Sequence, residues 1–510
     1  MVDDKKVRVR FAPSPTGGLH LGGVRTALFN YLFAKKYNGD FILRIEDTDQ
    51  TRFVAGAEDY IVECLKWCGI LPQESPQNPG NFGPYRQSER KASYREYAEE
   101  LVAKGFAYYA FDSQEELEAE RQKTANFTYG HDTRHSMRNS LSLPEAEVTL
   151  LLESKVPHVI RLKVPADETI SFNDMIRGNV SFDTNLVDDK ILLKADNMPT
   201  YHLAVVVDDY KMKISHIFRG EEWLPSAPIH ILLWEFLGWK NEMPEWAHLP
   251  LILKPDGHGK LSKRDGDRLG FPVFAMNWTD PATKEVVKGF CEMGFLPEAF
   301  VNMLALLGWN DGSDQELFSL NELIEKFSME RINNSGAKFD FEKAKWFNHE
   351  WIKKLSTEEL IPHFSTILAE HDIFSVDNHY LTIVINLVKE RLTLLTDFWG
   401  QGSFFFKEPQ EYDLISILPK WSEEKTLFFT DIIEKLASYE PWNSEGLESL
   451  YKLAIQASGL KMGELMLPLR IMLVGGKFGP HVFDIAATLG KEESIKRIKK
   501  GLSLILANKQ

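Results

Sequence analysis

One stretch, residues 7–49, constrains the fold more than any other part of the chain. It opens with a short alternating segment, residues 7–11, which predicts a strand and is followed by a Pro-, Ser- and Gly-rich loop. From Gly22 onward the apolar residues recur at helical spacing, and residues 41–45 predict a second strand. The sequence therefore predicts a right-handed βαβ unit.

Charged residues and glycines lie where ligands bind in such units, beyond the carboxyl ends of the strands. Arg10 is near the end of the first strand, and Glu46 directly follows the second. His20, Gly22 and Gly23 stand at the helix entrance, where free backbone N–H groups and the helix dipole favour phosphate. Glycines also let a nucleotide approach the backbone closely. This pattern predicts a site for a zwitterionic small molecule beside a nucleotide.

The same stretch resembles the signature of class I aminoacyl-tRNA synthetases, with residues 20–23 (HLGG) as a variant of their HIGH motif. The sequence APSPTGGLHLGG followed by LRIEDTD is similar, more specifically, to bacterial-type glutamyl-tRNA synthetases. For HLGG alone, a Gly/Pro turn with His20 as a helix cap is the better interpretation, because four-residue motifs recur by chance. The surrounding β-loop-α-β pattern favours the synthetase signature.

A second basic segment, residues 260–264 (KLSKR), resembles the KMSKS signature of the same class. In isolation such a cluster is more typical of a solvated cationic turn. The resemblance implies two catalytic residues, His20 to steady the ATP phosphates and Lys263 to contact the departing pyrophosphate. The ATP contacts that it implies are Gly22, Gly23, Glu222, Lys260, Ser262, Lys263 and Arg264.

Glutamate, the amino acid that the resemblance implies, carries one ammonium and two carboxylates. Glu46 matches the ammonium, and Arg10 and Arg219 match the carboxylates through forked hydrogen bonds. Glutamine would leave one cation poorly paired, so two arginines also address specificity. The alternative is that either arginine forms a salt bridge with a neighbouring acid, such as Glu46 or Glu221. Further glutamate contacts implied by the resemblance are Ala12, Ser14 and Tyr201.

At 510 residues the chain is expected to hold three or more domains. The predicted fold class is α/β: a Rossmann-like parallel-sheet catalytic domain with a mixed α/β insertion, followed by an all-α C-terminal anticodon-binding region. The apolar run AVVVDD, residues 204–209, is interpreted as a central parallel strand of that sheet. The predicted bounds are 1–105 and 196–253 for the two catalytic halves, 106–195 for the insertion, 254–340 for a KMSKS-loop and stem-contact domain, and 341–510 for the helical region.

The net charge of −15 means that contacts to nucleic acid must come from local basic patches. Exposed helix lysines are more often merely solvated, so each candidate is weak by itself. Arg391 is a weak candidate for the anticodon. The candidate phosphate contacts are Lys338, Lys343, Lys345, Lys353, Lys354, Lys496, Arg497, Lys499 and Lys500.

A few residue types predict the cellular compartment of the protein and the metal ions that it binds. Three cysteines cannot form a disulfide framework, and neither a secretory signal nor a membrane-spanning apolar stretch is visible, so a cytoplasmic protein is expected. In the resembled family the insertion often binds zinc through Cys-x-Cys. Here Asp112, His131 and His135 remain without thiolates, so no structural zinc is predicted. Mg²⁺ is expected only together with ATP.

The resemblance therefore predicts a monomeric glutamate–tRNA ligase that converts L-glutamate, ATP and tRNA(Glu) to glutamyl-tRNA, AMP and pyrophosphate. It also implies that activation depends on bound tRNA. Three alternatives are a glutaminyl-tRNA synthetase, a tRNA-modifying glutamyl–queuosine enzyme and a catalytically silent RNA-binding paralogue. The pocket arginines, the long helical C-terminal region and the two intact motifs, respectively, argue against them. Whether tRNA(Gln) is also charged, and which arginine holds which carboxylate, is left open by the sequence.

Overall fold

A computed structural model describes residues 6–124 and 127–509, apart from the side chains of Lys263, Arg264 and Asp267. The chain divides into two units. The first comprises Met1–Glu292 with Phe300–Phe341, and the second comprises Met293–Ala299 with Glu342–Gln510. The finer division into five domains stays a prediction.

The strands of the first unit form one four-stranded sheet, one three-stranded sheet and three two-stranded pairs within the described residues. They are β1 (Arg8–Phe11), β2 (Asp40–Leu43), β3 (Ala107–Ala110), β4 (Val159–Leu162), β5 (Thr169–Asp174), β6 (Gly178–Asp183), β7 (Ile191–Leu193), β8 (His216–Gly220), β9 (Glu245–Leu249), β10 (Ile252–Leu253), β11 (Trp278–Thr279), β12 (Val286–Val287) and β13 (Ala337–Lys338).

The helices alternate with these strands and then, after β13, make up nearly all of the regular structure of the C-terminal part. They are α1 (Leu21–Lys36), α2 (Ala57–Trp67), α3 (Lys91–Ala103), α4 (Gln114–Lys123), α5 (Glu145–Glu153), α6 (Tyr201–Lys211), α7 (Ala227–Phe236), α8 (Lys263–Leu269), α9 (Phe290–Met293), α10 (Pro297–Leu306), α11 (Leu320–Lys326), α12 (Phe341–Lys354), α13 (Thr357–Glu370), α14 (Asn378–Val388), α15 (Asp397–Gly402), α16 (Glu423–Ser438), α17 (Ser444–Ser458), α18 (Met462–Val474), α19 (Val482–Leu489) and α20 (Lys491–Ala507).

Parallel pairing brings several strand ends to one edge. β1 and β2 are parallel, with Arg10 opposite Ile42, as the predicted βαβ unit requires. In the four-stranded sheet the order is β6-β5-β9-β8, and β9 is parallel to both β5 and β8. The backbone N–H of Ser215, just before β8, donates to the carbonyl of Arg8 at 2.8 Å. The carboxyl ends of β1, β2 and β8 therefore face the same side.

Helix α1 packs against β1, β2 and β8 and is buried along most of its length. After it the chain turns sharply through Asn38, whose φ is +51°, and Gly39. A Cβ at Gly39 would lie 2.4 Å from the carbonyl oxygen of Val7, so only glycine fits this close approach. The chain thereby enters β2 beside β1.

The interpretation of residues 204–209 as a parallel strand is wrong. These residues lie in helix α6 (Tyr201–Lys211), and Tyr201 is its first residue rather than a residue ahead of a strand. Five successive apolar residues of α6 are buried because the helix is covered on several sides by α3, α7 and β7. A short apolar run that is buried all round shows no amphipathic period, and such a run can be a strand or a helix.

The segment predicted as an insertion, residues 106–195, contains the antiparallel sheet β3-β4-β7 and a small apolar cluster. Asp112 accepts hydrogen bonds from the Tyr129 hydroxyl at 2.8 Å and from the Arg138 backbone N–H at 2.7 Å. His131 contacts Asp132, and His135 is exposed, so the three side chains considered as zinc ligands have other surroundings. The prediction that no zinc binds there stays a prediction.

Within the second unit, Arg497 is not available to a tRNA phosphate, and that prediction is wrong. Its guanidinium is buried and donates to the carbonyls of Phe404 and Leu473 at 2.8 and 3.0 Å. It also pairs with Glu493 at 2.7 Å. On α20 its helical position turns it toward α18, so it stabilises this packing instead.

Candidate active site

A cavity of about 960 Å³ opens at the edge where β1, β2 and β8 end. The loops after these strands, the entrance of α1, the start of α6 and residues 250–262 contribute to its wall. The predicted site residues that line it are Arg10, Ala12, Ser14, His20, Gly22, Gly23, Glu46, Tyr201, Arg219, Glu222, Lys260 and Ser262. The side chains of Lys263 and Arg264, which the sequence also predicts as site residues, lie outside the described part of the structure.

Arg10, Glu46 and Arg219 of this wall form, together with Arg44 and Asp209, a group here called the arginine cluster; Arg44 and Asp209 are buried and do not line the cavity. Arg10 donates through Nε and Nη2 to the two carboxylate oxygens of Asp209, at 3.0 and 3.2 Å. Arg44 donates to Asp209 at 2.7 Å and to Glu46 at 3.1 Å. Burial would raise the pKa of Asp209, but Arg10 and Arg44 outweigh this effect and lower it. Arg10 thus does form a salt bridge, with Asp209 rather than with Glu46.

Arg219 has different surroundings, because no described carboxylate pairs with it. Its Nε donates to Nε2 of His248 at 2.9 Å, and its Nη1 lies 3.2 Å from the Tyr201 hydroxyl and 3.0 Å from Nδ1 of His230. Its guanidinium carbon lies 4.8 Å from the ring centre of Trp246. The remaining nitrogen, Nη2, is buried and has no hydrogen-bond partner among the described atoms. Burial, the largest influence, lowers the pKa of Arg219.

The salt bridge considered for Arg219 with Glu221 is absent. The carboxylate of Glu221 instead pairs with Arg177 and accepts a hydrogen bond from the backbone N–H of Leu251 at 2.9 Å. Three guanidinium groups and two carboxylates therefore make up the arginine cluster, which leaves one positive charge uncompensated. A buried charge without a counterion is costly, so this arrangement favours a ligand with one net negative charge.

A second part of the wall, here called the glycine side, consists of His20, Gly22, Gly23, Glu222, Lys260 and Ser262. His20 caps α1, with Nδ1 accepting from the N–H of Gly22 at 3.3 Å, as the alternative interpretation of the motif holds. The His20 carbonyl accepts from the N–H groups of Gly23 and Val24 at 2.8 and 3.1 Å, and Leu21 donates to the Val273 carbonyl at 3.0 Å. The prediction of free N–H groups at this entrance is therefore wrong.

Gly22 still leaves space for a ligand. A Cβ built there would meet only Nδ1 of His20, at 3.9 Å, so any side chain would extend into the cavity. At Gly23 a Cβ would instead lie 2.7 Å from Cδ1 of Leu19, so a side chain there would displace the Leu19 side chain. Both glycines line the cavity, but a side chain at Gly22 would meet open space and one at Gly23 would meet Leu19.

The basic segment of residues 260–264 reaches the same cavity. Lys260 pairs with Glu222, and both side chains are exposed. Ser262 donates from its backbone N–H to Asp265 at 3.0 Å, closing the first turn of α8. The chain then returns to the helix entrance, where Phe274 forms a β-bridge with His20. Both sequence signatures therefore border one cavity.

Sequence reasoning missed the partners of the arginines. The contact of Asp209 with Arg10 and Arg44 was not predicted, because residues 204–209 were assigned to a strand. Asp209 lies in helix α6, which carries its carboxylate toward these two arginines. His230 and His248 are single histidines inside apolar runs, which are usually core residues, so only their contacts with Arg219 reveal their position.

The described residues hold neither a candidate metal cluster nor a candidate membrane-spanning helix. No group of three or more His, Cys, Asp or Glu side chains converges in the way metal ligands do. Among the described helices, none combines the length and apolar character needed to cross a bilayer.

Comparison with protein families identifies both units. Residues 6–346 match the model of the class I tRNA synthetases for E and Q, catalytic domain, and residues 345–502 match an anticodon binding domain. The glutamate–tRNA ligase of Phocaeicola vulgatus is 51% identical over 505 residues, covering 99% of this chain and all of that one. That of Flavobacterium johnsoniae is 52% identical over 506 residues, covering 98% and 100%.

Solved structures agree with this result. The crystal structure of a glutamate tRNA ligase from Elizabethkingia meningosepticum in complex with its amino acid has a TM-score of 0.94 and 49% identity, covering 98% of this chain and all of that one. Glutamate-tRNA synthetase from Elizabethkingia anophelis has a TM-score of 0.90, with the same identity and coverage. The predicted family, fold class and reaction are confirmed. This chain belongs to the glutamyl-tRNA synthetases, the class I enzymes that join glutamate to tRNA.

Proposed function

We propose that the cavity binds L-glutamate at the arginine cluster and ATP at the glycine side, and that the activated glutamate passes to the 3′ end of tRNA(Glu). An α-carboxylate oxygen of glutamate attacks the α-phosphorus, and the bond to pyrophosphate breaks. A terminal ribose hydroxyl of the tRNA then attacks the activated carbonyl, and AMP leaves with the bonding electrons. Positioning and stabilisation of phosphate charge suffice for both steps.

One observation carries this proposal: the arginine cluster holds a single uncompensated positive charge beside a helix-entrance glycine. Glutamate has a net charge of −1 and glutamine has none, so only glutamate neutralises the cluster. In a buried site that difference disfavours the amide strongly, because it leaves a cation unpaired.

The proposed roles at the arginine cluster follow from charge. Glu46 would accept the ammonium, because Arg44 contacts only one of its oxygens in the described network. Arg219 would bind a carboxylate through Nη2, its one nitrogen without a described partner. Arg10 would contribute to the other carboxylate while it stays paired with Asp209. Ala12, Ser14 and Tyr201 line the cavity and would complete the glutamate contacts.

The proposed ATP contacts belong to both signatures. His20 and the Gly22-Gly23 turn would steady the phosphates, and Lys263 would contact the departing pyrophosphate. Mg²⁺ would accompany the nucleotide. The further ATP contacts that we propose are Glu222, Lys260, Ser262 and Arg264.

The second unit is the proposed site of anticodon recognition. Arg391 is exposed, and together with burial, the larger effect, it lowers the pKa of Arg470. Two guanidinium groups that repel each other electrostatically favour an anionic partner such as a phosphate. Lys496 and Lys500 both pair with Glu408, so they are weaker candidates than the sequence alone indicates. We also propose that the protein is a cytoplasmic monomer, consistent with its three unpaired thiols.

Charging assays test the function directly. Purified protein should attach labelled glutamate, but not glutamine, to tRNA(Glu), and absence of charging would contradict the proposal. A parallel reaction with tRNA(Gln) decides whether that tRNA is also a substrate. Pyrophosphate exchange should stay near background until tRNA(Glu) is added, and full exchange without tRNA would contradict the implied dependence.

Substitution of two arginines, one inside and one outside the cavity, tests the assignment of the site. Arg219→Ala should lower kcat/KM for glutamate at least about 100-fold, since it removes one partner of a buried charge contact. Arg177→Ala is the matched control, because Arg177 pairs with Glu221 and does not line the cavity. It should change kcat/KM by less than about threefold. Equal effects of the two substitutions would contradict the assignment of Arg219 to the glutamate site.

A further inference from the structure

A buried row of side chains stands behind Arg219. Asp174, at the end of β5, contacts His248 of β9 with 2.6 Å between Oδ2 and Nδ1. His248 accepts from Arg219 through Nε2, and Arg219 contacts Nδ1 of His230 in α7. Nε2 of His230 in turn lies 3.2 Å from Nδ1 of His202 in α6. Asp174, His248 and His230 are almost completely buried.

Hydrogen-bond chemistry fixes the protons along this row. The carboxylate of Asp174 accepts from the backbone N–H groups of His248, Ile176 and Arg177, so it can only accept from the ring as well. Nδ1 of His248 therefore carries the proton, and Nε2 presents a lone pair to Arg219. On the other side Arg219 always donates, so Nδ1 of His230 is the acceptor, and its Nε2–H points to His202.

Both imidazoles are consequently neutral when they hold the guanidinium. Burial, the largest effect, lowers the pKa of His248 and of His230, and the charge of Arg219 lowers each further. Asp174 acts in the opposite direction on His248 without reversing the shift. The row orients Arg219 through two uncharged acceptors, and its one carboxylate, Asp174, reaches Arg219 only through the His248 ring.

The contrast with Arg10 shows what this arrangement changes. Arg10 is held by the carboxylate of Asp209, which cancels its charge while it orients the side chain. Arg219 is held by His248, His230 and the Tyr201 hydroxyl, none of them a carboxylate, and Nη2 is its nitrogen without a described partner. A carboxylate in place of either imidazole would compete with a substrate carboxylate for the same guanidinium.

We propose that His248 and His230 are positioning residues that hold Arg219 through uncharged acceptors, so that its whole charge serves to select glutamate over glutamine. Asp174 supports this role by fixing the tautomer of His248, as carboxylates do for histidines in other sites. The inference rests on the proposed function, because it assigns Arg219 to glutamate binding.

Two substitutions of His230 that differ only in charge test this inference. His230→Gln retains a neutral acceptor oxygen for Arg219, and His230→Glu replaces it with a carboxylate of nearly the same shape. In tRNA(Glu) charging assays the Gln variant should keep KM for glutamate within about threefold of the unmodified protein. The Glu variant should raise that KM at least about tenfold and lower the ratio of kcat/KM for glutamate over glutamine similarly, with KM for ATP nearly unchanged.

A second pair of variants decides the matter if His230→Glu does not fold, as shown by its unfolding midpoint. His248→Leu removes the acceptor and should raise KM for glutamate at least about tenfold, whereas His248→Gln should restore it to within about threefold. His216→Leu, on the same strand as Arg219 but outside the row, should leave KM unchanged. Equal KM values for the charged and neutral variants, or an unchanged KM in His248→Leu, would overturn the inference. Failure of the unmodified protein to charge tRNA(Glu) would instead overturn the proposed function.

Discussion

The arginine cluster and the glycine side border one cavity but are built differently. In the arginine cluster the side chains of Arg10 and Asp209 are 4% and 1% exposed, and each of these two charges makes two or more hydrogen bonds. On the glycine side the side chains of Lys260 and Glu222 are 52% and 38% exposed and contact each other. A ligand at the arginine cluster would thus meet charges that are already oriented and shielded from water, whereas a ligand at the glycine side would meet solvated ones.

This difference teaches where selectivity can arise. A charge that is desolvated and fixed before the ligand arrives discriminates strongly, because little reorganisation accompanies binding. A solvated pair such as Lys260 with Glu222 exchanges partners at a small free-energy cost and discriminates weakly. The arginine cluster can distinguish an acid from its amide, and the glycine side can only favour anions.

Removal of the central acid of the arginine cluster should have the largest effect. Asp209→Asn leaves Arg10 and Arg44 buried beside an uncharged amide and should lower the free energy of unfolding by about 3–5 kcal/mol. Urea denaturation measures this change. Asp132→Asn, at an exposed acid that contacts only His131 among the described ion pairs, should change the same quantity by less than about 0.5 kcal/mol. A loss below about 1 kcal/mol at Asp209 would show that the cluster is less tightly coupled than its contacts indicate.

The next effect is expected on the glycine side. Gly22→Val places a side chain in the cavity and should raise KM for ATP about tenfold, with KM for glutamate affected less. Steady-state charging at varied ATP measures it. The same substitution at Gly400, a helix residue with open space around it, should leave both KM values unchanged. An unchanged KM for ATP in Gly22→Val would place the nucleotide elsewhere.

The pH dependence of KM should distinguish the arginine cluster from the glycine side. Burial raises the pKa of Glu46, and Arg44 and Arg10 only partly offset this effect. As the pH falls through this raised value, Glu46 takes up a proton and loses the charge that matches the substrate ammonium. KM for glutamate should therefore rise at a higher pH than for an ordinary glutamate, while KM for ATP rises less. In Glu46→Gln the rise should disappear and KM should be high throughout; a profile like that of the unmodified protein would contradict the assignment.

The smallest effect is expected for the exposed pair. Lys260→Ala should change the free energy of unfolding by less than about 1 kcal/mol, since a solvated ion pair contributes little. KM for ATP should rise only a few-fold and should depend on ionic strength. Thermal denaturation and charging assays at two salt concentrations measure both quantities. A large loss of stability would mean that the glycine side is as rigid as the arginine cluster.

The sequence predicted the βαβ unit and the family because both depend on local patterns of turns, glycines and apolar spacing. It also predicted which side chains line the cavity, with Lys263 and Arg264 outside the described side chains. It could not predict that Asp209 joins Arg10 and Arg44, because that contact links residues 199 positions apart through a buried helix without amphipathic period. The burial of Arg497 could not be predicted either, since the sequence of the lysine-rich helix α20 does not indicate which of its cations is buried.

The hydrogen bonds at the start of α1 have a consequence for the arrival of the nucleotide. Among the donors of this first turn, the amide of Gly22 has the longest bond, 3.3 Å to an imidazole nitrogen, and the others reach carbonyls at 2.8–3.1 Å. A hydrogen bond weakens as it lengthens, and a phosphate oxygen is a stronger acceptor than a neutral ring. Exchange of the His20 ring for phosphate at Gly22 would thus replace the longest hydrogen bond of this turn, while the N–H groups of Leu21, Gly23 and Val24 keep their carbonyl partners.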